Sequence, residues 1–313
     1  MRAVIVADGK LRVEERPDPV PGKGEVLVAV HAAGINGADM HQRKGRYPAP
    51  PGSPQDIPGL ELAGEVVELG EGALRFEKGD RVMAVVGGGG QAELAVVHER
   101  AAMPVPDALD WPEAGGVPEV FTTAHDAIFT QGGLEPGEKL LVHGAAGGVG
   151  TAAVQLGRAA GARVVATVRN ETSRGEVEKL GATAIAPEGF EEHGPFDVVL
   201  ELVGAPNFER NLNSLATGGR IVIIGIGAGA KAELNFGVLM GKRGRVTGST
   251  LRPRPLEEKA AAMRLVERHV LPLLDSGAVR VPVAETFPLE RAEEAYDSFE
   301  AGGKFGKIVL LAR

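Results

Sequence analysis

Cysteine is absent from all 313 residues, which removes disulfides, thiolate nucleophiles, cysteine-ligated zinc and iron–sulfur clusters together. Aromatic residues are scarce, at 4%, so the stacking platforms of single-strand nucleic-acid binders are missing. Excess positive charge is missing too. Asp and Glu number 42 against 34 Lys and Arg, for a formal net charge of −8, the wrong sign for a phosphate backbone. No apolar run approaches the roughly eighteen residues needed to cross a bilayer. The opening stretch MRAVIVADGKLRVEE is strand-like and charged, without the apolar core of a signal peptide. The expectation is a cytoplasmic protein with neither nucleic acid nor membrane as partner.

What remains is an ordinary globular composition, 43% hydrophobic and 24% charged, with one outlier. Glycine occurs 45 times, about twice the usual ~7%, and in clusters without a collagen-like repeat, so close backbone approaches are expected. The length favours two domains. Short alternating runs fill the first hundred residues: Arg2 to Ala7, Val26 to Ala32, Glu65 to Leu69, Arg81 to Val86 and Ala92 to Val97. Turn chemistry at Pro19-Val20-Pro21-Gly22, Pro50-Pro51-Gly52 and Gly87 to Gly90 separates them. From about Trp111, helical stretches alternate with apolar strands at Leu140 to Val142, Arg163 to Thr167, Val198 to Leu202, Arg220 to Ile224 and Arg245 to Thr247. That alternation implies a parallel sheet covered on both faces. The tail holds a long helical segment, Glu257 to Leu274, a run Val283 to Phe287, a helix Leu289 to Glu300 and a last strand Lys307 to Leu311. The expected fold class is α/β: a β-rich domain over residues 1–115, completed by 256–313, and a doubly wound parallel-sheet domain over 116–255.

The strongest local signal is the strand Lys139 to Val142 followed by His143-Gly144-Ala145-Ala146-Gly147-Gly148-Val149-Gly150 and a helical Thr151 to Ala160. A strand ending in GxxGxxG and opening a helix turns backbone N–H groups and the positive helix terminus towards a pyrophosphate. Gly144 allows the tight turn, Gly147 the close approach of phosphates and Gly150 close helix–strand packing. Ala146, Gly148 and Val149 complete the candidate dinucleotide loop. NAD-selective folds place an acidic residue at the end of the next strand, against the ribose 2′-hydroxyl. Here that strand ends Thr167-Val168-Arg169-Asn170. Arg169 and Arg174 are instead candidates to pair a 2′-phosphate, the alternative being surface arginines at a helix start. Glu171 lies close enough to repel a phosphate if it turns inward.

Taken in order, several motifs resemble the medium-chain dehydrogenase/reductase superfamily and, within it, the zinc-free quinone oxidoreductases related to zeta-crystallin. They are Ala33 to Asp39, Arg46-Tyr47-Pro48, Pro58 to Gly64, Gly79-Asp80-Arg81-Val82, the loop Gly144 to Gly150 and Gly306 to Leu310. The resemblance spans nearly the whole chain. It implies a GroES-like β domain completed by the C-terminal part, a Rossmann domain, and a cofactor lying in the cleft. It also implies a homodimer, paired through the sheet strands around Arg220 to Ile224 and Arg245 to Thr247. Zinc-dependent relatives carry a Cys at the place of Asn36 and a His at that of Leu60. Neither ligand is present, and the seven histidines show no ligand spacing, so no metal is expected.

Without a metal, the strongly basic alkoxide left by reducing a simple ketone has no Lewis acid to stabilise it. A quinone or enone accepts hydride as a delocalised, far less basic anion. The expected activity is therefore reduction of quinones or other α,β-unsaturated carbonyls by NADPH. The resemblance assigns Tyr47 to the substrate side, either donating a hydrogen bond to the developing oxyanion or walling the pocket. It makes Asn36 a polar contact and leaves Asp39 to hold the loop. It sets Thr123 beside the nicotinamide, with helix packing as the alternative, and gives Gly225 and Ile226 a second backbone approach to the nicotinamide half. Many NADPH-dependent relatives have a tyrosine after the Gly181-Ala182 pair, where this chain has Ala184-Ile185-Ala186-Pro187. The basic segment Lys242 to Arg254 either lines the cofactor cleft or is solvated. Two other functions stay open: an enoyl-thioester reductase using Arg252 and Arg254 for carrier phosphates, and a non-catalytic NADPH-binding protein of crystallin type.

Overall fold

Apolar side chains alternating with polar ones present one buried face per strand, and the first third of the chain folds accordingly. The computed structural model describes Met1–Arg313 in two units, one made of Met1–Thr122 with Leu251–Arg313, the other of Thr123–Thr250. In the first unit, β1 (Arg2–Ala7) and β2 (Lys10–Glu15) form a hairpin. Its two-residue turn, Asp8-Gly9, has positive φ at both positions, 51° and 76°, the geometry that matches the twist of flanking strands.

A seven-stranded sheet follows, built from β3 (Glu25–Gly34), β4 (Glu61–Leu69), β5 (Arg81–Val85), β6 (Leu94–His98), β7 (Ala102–Pro104) and two strands from the end of the chain. The ten-residue β3 pairs with β6 over Glu25–Ala29 and with the last strand of the chain over Ala32–Gly34. The alternating pattern predicts β4 only from Glu65, but the strand starts at Glu61. Its first four residues are all buried, so there is no alternation to read there.

The second unit carries six strands: β8 (Lys139–Val142), β9 (Arg163–Thr167), β10 (Thr183–Ile185), β11 (Phe196–Glu201), β12 (Leu215–Ile223) and β13 (Arg245–Gly248). All pair in parallel, in the order β10-β9-β8-β11-β12-β13. Numbered from β8, that order is 3-2-1-4-5-6, the doubly wound Rossmann arrangement, whose switch point lies between the first and fourth strands. Leu141, Val199, Phe196, Phe208 and Leu215 centre its apolar core. No helix of the chain is long and apolar enough to cross a membrane.

After Leu251 the chain belongs to the first unit again. The segment predicted as one helix to Leu274 is two, Leu256–His269 and Leu271–Asp275, broken at Val270. Pro272 in the first turn of the second has no N–H to continue the ladder. Then β14 (Val283–Pro288) and β15 (Lys307–Leu311) pair in parallel, and β15 lies antiparallel to β3. The first-unit sheet thus contains the last strand of the chain.

The glycine loop supplies a stability test. A Cβ built on Gly150 would meet Ala145 Cα and Gly144 O at 2.6 Å, whereas one on Gly175 meets nothing within 4 Å. Gly150→Ala should lose about 1–3 kcal/mol in urea unfolding through overpacking. Gly175→Ala should instead be neutral or gain up to ~1 kcal/mol from reduced chain entropy. Equal midpoints for wild type and Gly150→Ala would refute the close packing of helix on loop.

Candidate functional site

In the first unit the chemistry gathers on a buried carboxylate. Glu61 opens β4 with no exposed surface, and Lys307 opens β15 only 2% exposed. Lys307 Nζ donates to Glu61 Oε1 at 2.6 Å, to Asn36 Oδ1 at 2.8 Å and to the Ile35 carbonyl at 2.9 Å. All three of its hydrogens are placed, as a buried ammonium requires. Glu61 Oε1 also accepts from Asn36 Nδ2 at 2.8 Å, and its other oxygen, Oε2, accepts the backbone N–H of Glu119 at 2.8 Å. Asn36 and Glu119 are therefore held on the two oxygens of one carboxylate.

Asp39 fixes the loop beneath them, its Oδ2 accepting the Asn36 N–H at 2.8 Å and its Oδ1 the Gly59 N–H at 3.1 Å. Burial pushes its carboxyl up to about 6, although both N–H groups favour the charged form. Glu119 sits in the first turn of the helix Pro118–His125. The residue is partly exposed, yet its Oε2 is buried with no hydrogen-bond partner. Burial first, then the neighbouring Glu61 charge, push its carboxyl up to about 8.

Tyr47 follows on the loop after the first short helix. Its phenol is raised by burial, and the Arg252 guanidinium lies 5.1 Å from its ring centroid. Arg252 is not solvated and does not face an external phosphate. It is 2% exposed and donates to Gly87 O at 2.7 Å, Tyr47 O at 3.0 Å and Gln42 Oε1 at 2.6 Å. This corrects the sequence expectation for Arg252, whose burial no local pattern announces.

The second unit holds the remaining candidates. Gly144 has φ +64°, and Gly147 caps the twelve-residue helix Gly148–Ala159 in extended geometry. A Cβ on Gly147 would find only Gly144 O, at 3.6 Å, so the space beside the backbone there is open. Gly225 passes so close to Leu202 that a Cβ would lie 2.1 Å from its carbonyl oxygen, and Ile226 beside it is 51% exposed. Thr123 is 9% exposed and its Oγ1 is buried without a partner.

Arg169 is exposed just after β9, whereas Arg174 Nε already donates to Val168 O at 3.2 Å and Nη1 lies 3.9 Å from Glu171. Behind the loop, His143 is fully buried, with Nδ1 2.9 Å from Thr167 Oγ1 and Nε2 2.7 Å from Asn211 Oδ1. Asn211 passes the chain to Glu201 Oε2 at 2.8 Å, and Glu201 Oε1 accepts from Val203 and Gly204 N–H groups at 2.6 and 2.8 Å. This network ties together the ends of β8, β9 and β11 at the switch point. Burial pulls His143 down and keeps it neutral.

The structure thus groups Asn36 with Asp39, and Tyr47 with Arg252, in one unit. It gathers Gly144 to Gly150, with Ala146, Gly148 and Val149, together with Gly225 and Ile226, around the switch point of the other. Three partners escape a reading of the sequence: Glu61, Glu119 and Lys307. Their one signal is a charged residue inside an apolar stretch, as in Gly116-Val117-Pro118-Glu119-Val120-Phe121. No three His, Asp or Glu side chains converge as metal ligands.

Comparison with known proteins gives two family matches, "zinc-binding dehydrogenase" over residues 148–268 and "alcohol dehydrogenase GroES-like domain" over residues 22–107. The chain is 30% identical over 311 residues to quinone oxidoreductase of Rattus norvegicus, covering 94% of this chain and 91% of that protein. It is 29% identical over 344 residues to acryloyl-coenzyme A reductase of Sulfurisphaera tokodaii, with 99% of each covered. Among solved structures, an NAD-dependent alcohol dehydrogenase matches with TM-score 0.87 at 29% identity, over 100% of both chains.

The buried pair can be tested by breaking it one side at a time. Lys307→Met leaves Glu61 charged, buried and unpaired, and should cost about 3–5 kcal/mol in urea unfolding. Adding Glu61→Gln to that variant should recover much of the loss. Wild-type stability in the single variant would refute the pairing.

Proposed function

The chain belongs to the medium-chain dehydrogenase/reductase superfamily of oxidoreductases, and we propose that it reduces quinones or other α,β-unsaturated carbonyls with NADPH, by direct hydride transfer and without a metal. The family implies a nicotinamide cofactor and a small-molecule substrate. The observation that carries the finer reading is the identity of the residues around Glu61. Asn36 and Leu60 occupy the places where zinc-dependent relatives have a Cys and a His, and the Asn36 amide is engaged with Glu61 and Lys307. A site of this composition offers hydrogen bonds and not Lewis acidity, which suits an acceptor whose reduced anion is delocalised.

The residues present fit a dinucleotide. The open Gly147 backbone at the start of the helix suits a pyrophosphate, and the unpartnered Thr123 hydroxyl suits a polar group of the nicotinamide. We assign Gly144, Ala146, Gly147, Gly148, Val149 and Gly150 to the pyrophosphate, Gly225 and Ile226 to the nicotinamide half, and Arg169 with Arg174 to the 2′-phosphate. When bound, the reduced cofactor supplies the hydride. We assign Tyr47 to the substrate side as hydrogen-bond donor, its half-buried phenol lying beside the Arg252 guanidinium. A second reading, reduction of an enoyl thioester, is favoured by the resemblance to acryloyl-coenzyme A reductase but loses Arg252 as a phosphate partner.

The decisive assay follows NADPH oxidation with 9,10-phenanthrenequinone, a simple enone and crotonyl-CoA side by side, before and after chelation. Turnover of the first two that survives chelation supports the reading. Turnover confined to crotonyl-CoA transfers it to the thioester, and loss on chelation overturns metal independence. For the cofactor, a charged hydrogen bond contributes about 1.5–3 kcal/mol, so Arg169→Ala should raise the NADPH KM roughly ten- to a hundredfold and spare NADH. Arg174→Ala should do less, because part of its guanidinium is already engaged. Equal losses with both cofactors would assign these arginines to the fold.

We also propose a homodimer. Strand β13 is an edge, hydrogen-bonded only to β12, and the adjacent helix Phe236–Lys242 exposes Phe236 at 70% and Met240 at 76%, one turn apart. An unpaired edge beside exposed apolar side chains invites pairing with a second copy. Light scattering at micromolar concentration should report twice the chain mass, and a monomer would count against the assignment.

A further inference from the structure

We propose that Glu119 is the proton donor of the substrate side: its carboxyl gives a proton to the carbonyl oxygen of the conjugated acceptor as that oxygen turns negative. The proposal rests on the reading of this protein as a reductase of quinones and enones. Three observations carry it. First, Glu119 Oε2 is buried with no hydrogen-bond partner, while the residue as a whole stays partly exposed. A carboxyl so placed needs an acceptor for its O–H, and the protein supplies none. Second, its backbone is pinned by the Glu119 N–H on Glu61 Oε2, at 2.8 Å, opposite Asn36 on Oε1. The Glu119 backbone is therefore anchored on the same carboxylate as a residue assigned to the substrate side, an anchor that is itself buried and paired.

Third, none of the charges around it makes an ion pair with it. Lys307 on β15 spends its three hydrogens on Glu61, Asn36 and Ile35. Arg252 is spent on Gly87, Tyr47 and Gln42. Lys259, on the helix Leu256–His269, feels the Glu119 charge but forms no ion pair with it, and burial lowers its own affinity for a proton. Glu61 on β4 and Asp39 on the first helix add negative charge that favours the protonated form. Tyr47 on its loop is near enough for the Glu119 charge to raise its phenol. Burial above all, and then the Glu61 charge, push the carboxyl up to about 8 against the opposing pull of Lys307 and Arg252, so it carries a proton at neutral pH.

In the step itself, hydride from the reduced nicotinamide bonds to the acceptor, and the electron pair displaced in the conjugated system collects on the carbonyl oxygen. The Glu119 O–H bond breaks as a new O–H bond forms on that oxygen, giving the enol or hydroquinone and leaving a carboxylate. Solvent reloads the carboxylate after turnover. The acceptor gains one hydride and one proton, and the nicotinamide is oxidised by two electrons.

The test compares wild type with Glu119→Gln, which keeps the shape but not the acid. A positioned proton donor contributes roughly 10²- to 10⁴-fold, so kcat for an enone should fall by about a hundredfold or more, with NADPH affinity by fluorescence titration unchanged. The wild-type kcat should also decline above about pH 8, a limb that the variant lacks. A readout without cofactor is the infrared band of a protonated carboxyl in the free enzyme. It should titrate away through the same pH range in wild type and be missing from Glu119→Gln. The group is raised in the fold, so its stabilising effect is complete below the ordinary glutamate range and is lost as pH rises through about 8. Melting temperatures should accordingly favour Glu119→Gln increasingly at alkaline pH. A variant with wild-type kcat and an intact alkaline limb, or a wild type without the titrating band, overturns the proposal. A wild type that reduces no quinone or enone overturns the reductase reading, and the proton-donor role with it.

Discussion

An ionised carboxylate cannot be taken out of water cheaply, and the arrangement of the first unit follows from how Glu61 is accommodated. Its desolvation would cost several kcal/mol if uncompensated. The compensation comes from Lys307 Nζ, Asn36 Nδ2 and the Glu119 N–H, all within 2.8 Å. Each partner belongs to a different element, so the carboxylate joins the loop after β3, the start of β4, the helix at Pro118 and the last strand. Gly34 has to be glycine for the same reason, because a Cβ there would lie 2.3 Å from Glu61 Oε1. The pairing of β15 with the end of β3 is what delivers the Lys307 ammonium to that spot.

Local electrostatics then separate neighbouring acidic groups by role. Asp39 receives two N–H bonds and holds a loop, while Glu119 has no hydrogen bond on its buried Oε2 and burial pushes its carboxyl up to about 8. Two carboxyls in one buried neighbourhood cannot both ionise without cost, and the better solvated or better bonded one takes the charge. In the proposed reaction, that principle lets a site of hydrogen-bonding side chains offer an acidic proton to a developing oxyanion.

The second unit solves a different problem, that of opening a crevice at the ends of its central strands without losing the fold. The 3-2-1-4-5-6 strand order opens a crevice at β8 and β11. His143, Asn211 and Glu201 fasten the loop ends there through fully buried hydrogen bonds. A neutral histidine suits that position, since it accepts from Thr167 through Nδ1 while donating to Asn211 through Nε2.

Much of this was written locally. The GxxGxxG loop and its strand–helix context, the parallel alternation after Trp111 and the tail strand at Lys307 all follow from periodicity and glycine spacing, because those signals need only near neighbours. The start of β4, the break at Val270 and the burial of Arg252 did not show, since each depends on partners far along the chain. Asn36 and Tyr47 could be singled out from their motifs, whereas Glu119 and Lys307 look in sequence like any charged residues at the ends of elements. The sequence by itself determined the α/β class, the glycine-rich loop between strand and helix, and the residues that stand at positions 36 and 60. Only the tertiary structure decided which charges meet at Glu61 and which carboxyl is left without a partner. Desolvation and hydrogen-bond supply are properties of a place in space, and residues 61, 119 and 307 share that place only after the chain has folded.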